Sequence, residues 1–139
     1  MSLVKKSSIR IFMDKVTQEW IKIAEYDLKT AKTMLNGGRY LYVAFMCQQA
    51  IEKILKAIYI QQKKELAPRT HNLSYLVDSL KLKISQADED FLLKLTQYYI
   101  ESRYPEERKK LSQLLTQKQS QIYIQRTKEV FRCLREMLP

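Results

Sequence analysis

Twenty-four consecutive residues, Tyr40 to Lys63, contain neither glycine nor proline. At about 1.5 Å per residue they make a helix about 36 Å long. On a helical wheel, Leu41, Val43, Ala44, Phe45, Cys47, Ile51, Ile54, Leu55, Ile58 and Tyr59 spread over one broad arc. Gln49, Lys53 and Lys56 share a narrow polar strip. A helix apolar over most of its circumference is central, covered by several neighbours. Gln48 and Glu52 lie one turn apart inside that apolar arc. A buried carboxylate needs a partner, so another part of the chain must supply one.

The remaining elements arrange themselves around this helix. Residues 1–13 carry Lys5, Lys6 and Arg10 beside Ile9, Ile11 and Phe12 and read as a basic arm or short docking segment, with a single domain over 14–139. A helical period begins near Asp14 or Thr17 and includes Trp20, Ile23, Ala24, Leu28, Ala31 and Leu35, with Asp27 at the edge of the stripe. Asn36-Gly37-Gly38 ends it, and so short a connection predicts an antiparallel hairpin. Pro68 marks a loop. A third helix is expected from Asn72. A fourth is expected from about Asp88 to Tyr104, with an N-cap near Ser85 or Asp88 and Pro105 as its stop. Residues 106–115 are charged and ambiguous, and a last helix is expected from Thr116 to Met137. With only two glycines and three prolines in 139 residues, the fold class is all-α, an antiparallel up-and-down bundle of four to five helices.

The chain has 25 Lys and Arg against 15 Asp and Glu, a net charge of +10. Such an excess favours polyanions or acidic partners, and also serves plain solubility. Cys47 and Cys133 fall on predicted apolar faces and read as small buried hydrophobes. One histidine and two separated cysteines match no metal-ligand spacing, so no metal and no cofactor is expected. There is no signal peptide and no apolar run near 18 residues, so the expected location is cytoplasmic, with no membrane association.

The chemistry-bearing candidates are few. Extending the wheel of helix four to its end places Arg103 between Leu92 and Thr96, on the apolar side. Its guanidinium either snorkels at the rim or meets a carboxylate or phosphate. Pairing with Glu52, directly or through one water, is expected, with Gln48 or Tyr104 nearby and a cleft open to an anionic group. His71, in Thr70-His71-Asn72-Leu73, is expected to cap or orient the loop rather than move protons.

Four blocks, in order, carry a resemblance: Trp20…Ala24-Glu25-Tyr26-Asp27-Leu28; Ala44-Phe45-Met46-Cys47-Gln48-Gln49-Ala50-Ile51-Glu52-Lys53; Thr70-His71-Asn72-Leu73; and Tyr99-Ile100-Glu101-Ser102-Arg103-Tyr104-Pro105. Together they resemble the HEPN family, the higher eukaryotic and prokaryotic nucleotide-binding domains, over about residues 14–137. The resemblance implies a bundle that pairs with itself, a nucleotide- or RNA-related role, and partnership with a small nucleotidyltransferase in toxin–antitoxin-like systems. Tyrosines and apolar residues near the ends of helix four are the expected self-complementary patch. Ribonuclease members carry the arginine that Arg103 matches, then four to six residues, then a histidine. Here positions 107–110 are Glu-Arg-Lys-Lys. The resemblance therefore implies binding without efficient cleavage, the alternative being a metal-independent ribonuclease that uses Arg103 with an atypical base.

Overall fold

The computed structural model describes residues 2–139. Among them are six helices and no strand: α1 Leu3–Asn36, α2 Tyr40–Lys63, α3 Leu73–Ser79, α4 Gln86–Glu101, α5 Pro105–Leu114 and α6 Gln117–Arg135. All five other helices pack on α2. Its apolar arc accounts for this: Ile51, Ile54 and Leu55 have no exposed surface and Ile58 is 1% exposed. α1 and α2 form the predicted hairpin. Gly38 closes it at φ 72°, in the left-handed region where a side chain is disfavoured.

Caps set most boundaries. The Asn72 side chain accepts from the Tyr75 amide, Ser85 from Asp88 and Thr116 from Gln119, each satisfying one of the free amides of a first turn. Two boundaries differ from the sequence reading. α1 begins at Leu3 instead of near Asp14, because Ser2 caps it and nothing in residues 3–13 breaks a helix. α4 ends at Glu101, three residues early, and Pro105 is the first residue of α5. Proline suits that position, where its missing amide would have had no intrahelical partner. The ambiguous charged stretch is thus the ten-residue α5.

Polar contacts tie the layers together. Tyr98 and Tyr123 share a hydroxyl–hydroxyl hydrogen bond of 3.1 Å between α4 and α6. The Leu73 amide donates to Thr96 Oγ1, joining α3 to α4. Cys47 is fully buried, and burial pushes its thiol up to about 12. Cys133 is exposed, contrary to the expectation, because it faces away from the Val130–Leu134 side of α6. No helix among the described residues is long and apolar enough to cross a membrane.

Replacing Ile51 by Asp removes about 1.5–3 kcal/mol of apolar burial and adds an unpaired buried carboxylate. Against a typical stability of about 5–15 kcal/mol, the expected outcome is loss of the helical circular-dichroism signal and of the cooperative thermal transition. Leu93→Asp, at a position 58% exposed, is expected to retain both.

Candidate functional site

Glu52 is 2% exposed, and four donors surround its carboxylate. Gln48 Nε2 and His71 Nδ1 reach Oε1 at 3.1 and 2.8 Å. Lys56 Nζ and Lys53 Nζ reach Oε2 at 3.1 and 3.6 Å. Burial by itself pushes this carboxyl up. The His71 and Gln48 hydrogen bonds and the Lys56 and Lys53 charges outweigh it, and the net direction is down. The carboxylate is therefore ionised at neutral pH and can only accept. His71 must donate through Nδ1, which leaves the lone pair of a neutral ring on Nε2.

The same cluster binds the loop to α2. Gln48 Nε2 also donates to the His71 carbonyl at 2.9 Å. His71 thus ties the loop to α2, while Asn72 is the cap. Lys56, placed in the polar strip by the wheel, folds inward and is 6% exposed. Its ammonium lies 5.5 Å from the Trp20 ring of α1. Lys53 also stands 3.9 Å from Asp27. Burial pushes the Asp27 carboxyl up, with Lys53 opposing and Glu52 adding to the rise.

Arg103 does not pair with Glu52. Because α4 stops at Glu101, Arg103 leaves the helical wheel and is exposed, while Ser102 turns inward. Nη1 donates to Tyr99 Oη at 3.4 Å, and the guanidinium lies 5.3 Å from the Tyr99 ring. Tyr104 is also exposed, at the N-cap of α5; the tyrosine that reaches Arg103 is Tyr99. Tyr99 also neighbours His71, with 4.8 Å between the ring centroids. It therefore links Arg103 to His71 and, through His71, to Glu52.

Three further side chains complete the site. Phe45 stacks on Tyr99 at 5.0 Å, and Tyr42 meets Phe45 edge-on at 6.2 Å. Arg108 lies 5.4 Å from the Tyr42 ring and donates to the Ser102 carbonyl at 3.0 Å. Tyr42, Phe45, Tyr99, Arg103 and Arg108 line an open cleft of about 630 Å³. Neither arginine has a carboxylate partner among the described residues. The i, i+3 spacing of Tyr42 and Phe45 and the i, i+4 spacing of Tyr99 and Arg103 were available signals. A smaller cavity of about 170 Å³ between α3 and α4 has Asp78, Glu89 and Asp90 in its lining and no cation, so it does not suit an anion.

The HEPN domain model matches residues 17–137. The chain belongs to the HEPN family. TT1696 from Thermus thermophilus, known from a crystal structure, superposes with a TM-score of 0.75 at 21% identity, over 88% of this chain and 98% of that one. At that identity the likeness establishes the fold. No curated protein matches the chain. HEPN membership supports a nucleotide- or RNA-related module. In this HEPN domain the Gln48-Gln49-Ala50-Ile51-Glu52-Lys53 block builds the buried charge cluster, and the Arg103 block lines the cleft.

The lowered Glu52 carboxyl makes stability depend on acid. A carboxyl depressed on folding contributes stability that is complete above its unfolded value, 4.5, and is lost as pH falls through the lower folded value. Glu52→Ala leaves two buried ammonium groups without their carboxylate and is expected to cost about 3–5 kcal/mol at neutral pH. Glu52→Gln, which keeps an acceptor, costs less. Urea unfolding of wild type and Glu52→Gln at neutral pH and near pH 3 checks the sign. The difference between them is expected to shrink on acidification; a constant difference would show that the Glu52 charge contributes nothing.

Proposed function

We propose that this HEPN domain is a nucleotide- or RNA-binding and interaction module whose ligand lies in the cleft between α2, α4 and α5. The observation that carries this reading is the pair of carboxylate-free arginines mounted on tyrosine faces. A guanidinium offers a planar fork that matches phosphate oxygens. The Tyr42–Phe45–Tyr99 series offers ring faces to bases, whose stacking is worth about 1–3 kcal/mol each. Phosphates held by Arg103 and Arg108 with a base against the aromatic series is a mutually consistent arrangement. The net charge of +10 adds long-range attraction. By family resemblance, the proposed setting is a cytoplasmic, toxin–antitoxin-like pair with a small nucleotidyltransferase.

A second reading, a metal-independent ribonuclease, draws support from His71. A buried carboxylate orients the imidazole and leaves Nε2 without a protein partner on a half-exposed side chain. That is the arrangement of an oriented base. In such a reaction Nε2 takes the proton of a ribose 2′-hydroxyl as that oxygen attacks the adjacent phosphorus. The 5′-oxygen leaves and takes up a proton, and a 2′,3′-cyclic phosphate remains. Arg103 would stabilise the charge on phosphorus. The absence of the second histidine beyond Arg103 leaves no obvious acid for the leaving oxygen, which favours the binding reading.

Fluorescence anisotropy with a labelled single-stranded oligoribonucleotide tests binding. Arg103→Ala and Arg108→Ala are each expected to weaken it and to reduce the slope of log K against log salt by about one. Affinity unchanged in both would refute the cleft. Incubation of the same RNA with chelator is expected to give no efficient cutting. Cutting that disappears in both Arg103→Ala and His71→Ala would establish the second reading instead.

A further inference from the structure

The basic segment that precedes the family match has no part in the cleft. The HEPN match begins at residue 17, and Thr17 is the first buried residue of α1. The helix nevertheless runs back to Leu3, and every residue from Ser2 to Phe12 is exposed. A helical stretch without tertiary contacts is marginal by itself in water. This one also leaves Ile9 44% exposed, Ile11 56% and Phe12 55%. A surface that covers these side chains would hold the segment as a helix.

The apolar pattern continues into the bundle. At about 100° per residue, Ile9, Phe12, Met13, Val16, Trp20 and Ile23 fall within one arc of about 100°. Thr17, Ile21 and Ala24, which face the core, occupy the neighbouring arc. The stripe therefore runs along the flank of α1. Over its C-terminal part lies an open apolar hollow of about 380 Å³, lined by residues of α1 alone.

Cations edge the stripe on both sides. Lys6 and Arg10 border it on the core-facing side, Lys15 and Lys22 on the outer side, and Lys5 stands at its N-terminal end. Lys22 pairs with Glu19 at 3.4 Å. Lys5, Lys6, Arg10 and Lys15 have no carboxylate partner among the described residues. Asp14 and Glu19 are the only acids between Leu3 and Ile23.

An apolar helix face that carries Phe and Trp and is edged by Lys and Arg suits a helix lying in a membrane interface. The long stems lie along apolar surface while their charges reach the headgroups. RNA supplies the negative charge but no aliphatic layer to receive Ile9, Val16 and Ile23. An anionic bilayer supplies both, with phosphates level with the cations and acyl chains beneath. The expectation of no membrane association rested on the lack of an apolar run near 18 residues. That criterion concerns helices that span a bilayer, not one that lies on its surface.

We propose that the α1 stripe from Ile9 to Ile23 docks this domain onto an anionic lipid surface. The stripe shares no residue with the cleft. Trp20 contacts Lys56, which lies about 21 Å along α2 from Tyr42 of the cleft. Lipid docking therefore leaves the residues of the cleft unoccupied.

Trp20 is the chain's one tryptophan and reports on the stripe directly. Titration of the full chain with phosphatidylserine–phosphatidylcholine vesicles is expected to shift its emission to the blue and to bring the protein down with the vesicles. Pure phosphatidylcholine vesicles are expected to bind at least tenfold more weakly, and added salt to weaken binding to the anionic ones. Phe12→Glu, at an exposed position, is expected to lower partition at least tenfold with the helical circular-dichroism signal retained. Lys6→Glu with Arg10→Glu is expected to do the same, since each cation near such a surface contributes about fivefold. Both variants are expected to keep wild-type affinity for the oligoribonucleotide, and Arg103→Ala to keep wild-type partition, so the docking face and the cleft fail separately. Absence of partition onto anionic vesicles, or partition that either α1 variant leaves unchanged, would overturn the proposal. Loss of oligoribonucleotide affinity in the α1 variants, without vesicle binding by wild type, would also overturn it and assign the segment to RNA.

Discussion

A carboxylate buried in a basic protein is the contact on which the other elements depend. Isolated, the Glu52 charge would cost several kcal/mol to remove from water. Here its acceptor capacity is used by groups from two segments: Gln48, Lys53 and Lys56 on α2, and His71 on the loop that leads to α3. The His71 contact is long-range. It brings the 64–72 segment onto the middle of α2, which in turn seats Leu73 beside Thr96 of α4. The lysines extend the same cluster to α1 through Trp20 and Asp27. One ionised group thereby helps to set the relative position of four of the six helices.

The cleft inherits its geometry from that cluster. Tyr99 sits between His71 on one side and Arg103 on the other, with Phe45 of α2 stacked on it. Movement of the loop would displace His71 and remove one neighbour of Tyr99. The two charged regions differ in solvent and therefore in use. Lys53 and Lys56 are committed to a buried carboxylate. Arg103 and Arg108 are carried on ring faces at the rim of the cleft, without a carboxylate partner among the described residues. Their hydrogen bonds to a tyrosine hydroxyl and a backbone carbonyl hold their positions without neutralising them. That separation makes a surface able to receive an anion without first breaking an ion pair.

The sequence by itself determined the all-α class, the central place of residues 40–63, the α1–α2 hairpin, and the fact that Glu52 is buried and must be partnered. Each follows from a local property: helical periodicity, the position of glycines and caps, or a polar residue inside an apolar arc. The family blocks were legible for the same reason, as contiguous residues with strict spacing. Only the tertiary structure decided who the partner is. Lys56 lies on the polar strip of an ideal wheel, yet its four-carbon stem lets the ammonium fold back to a carboxylate one turn away. Arg103 was misplaced because the wheel assumes an unbroken helix. The chain leaves α4 at Ser102, so the side chain points outward and Tyr99, not Glu52, receives it. His71 was readable as a loop histidine, but its contact with Glu52 spans 19 residues of sequence, and no local pattern encodes a contact closed by the packing of several helices at once.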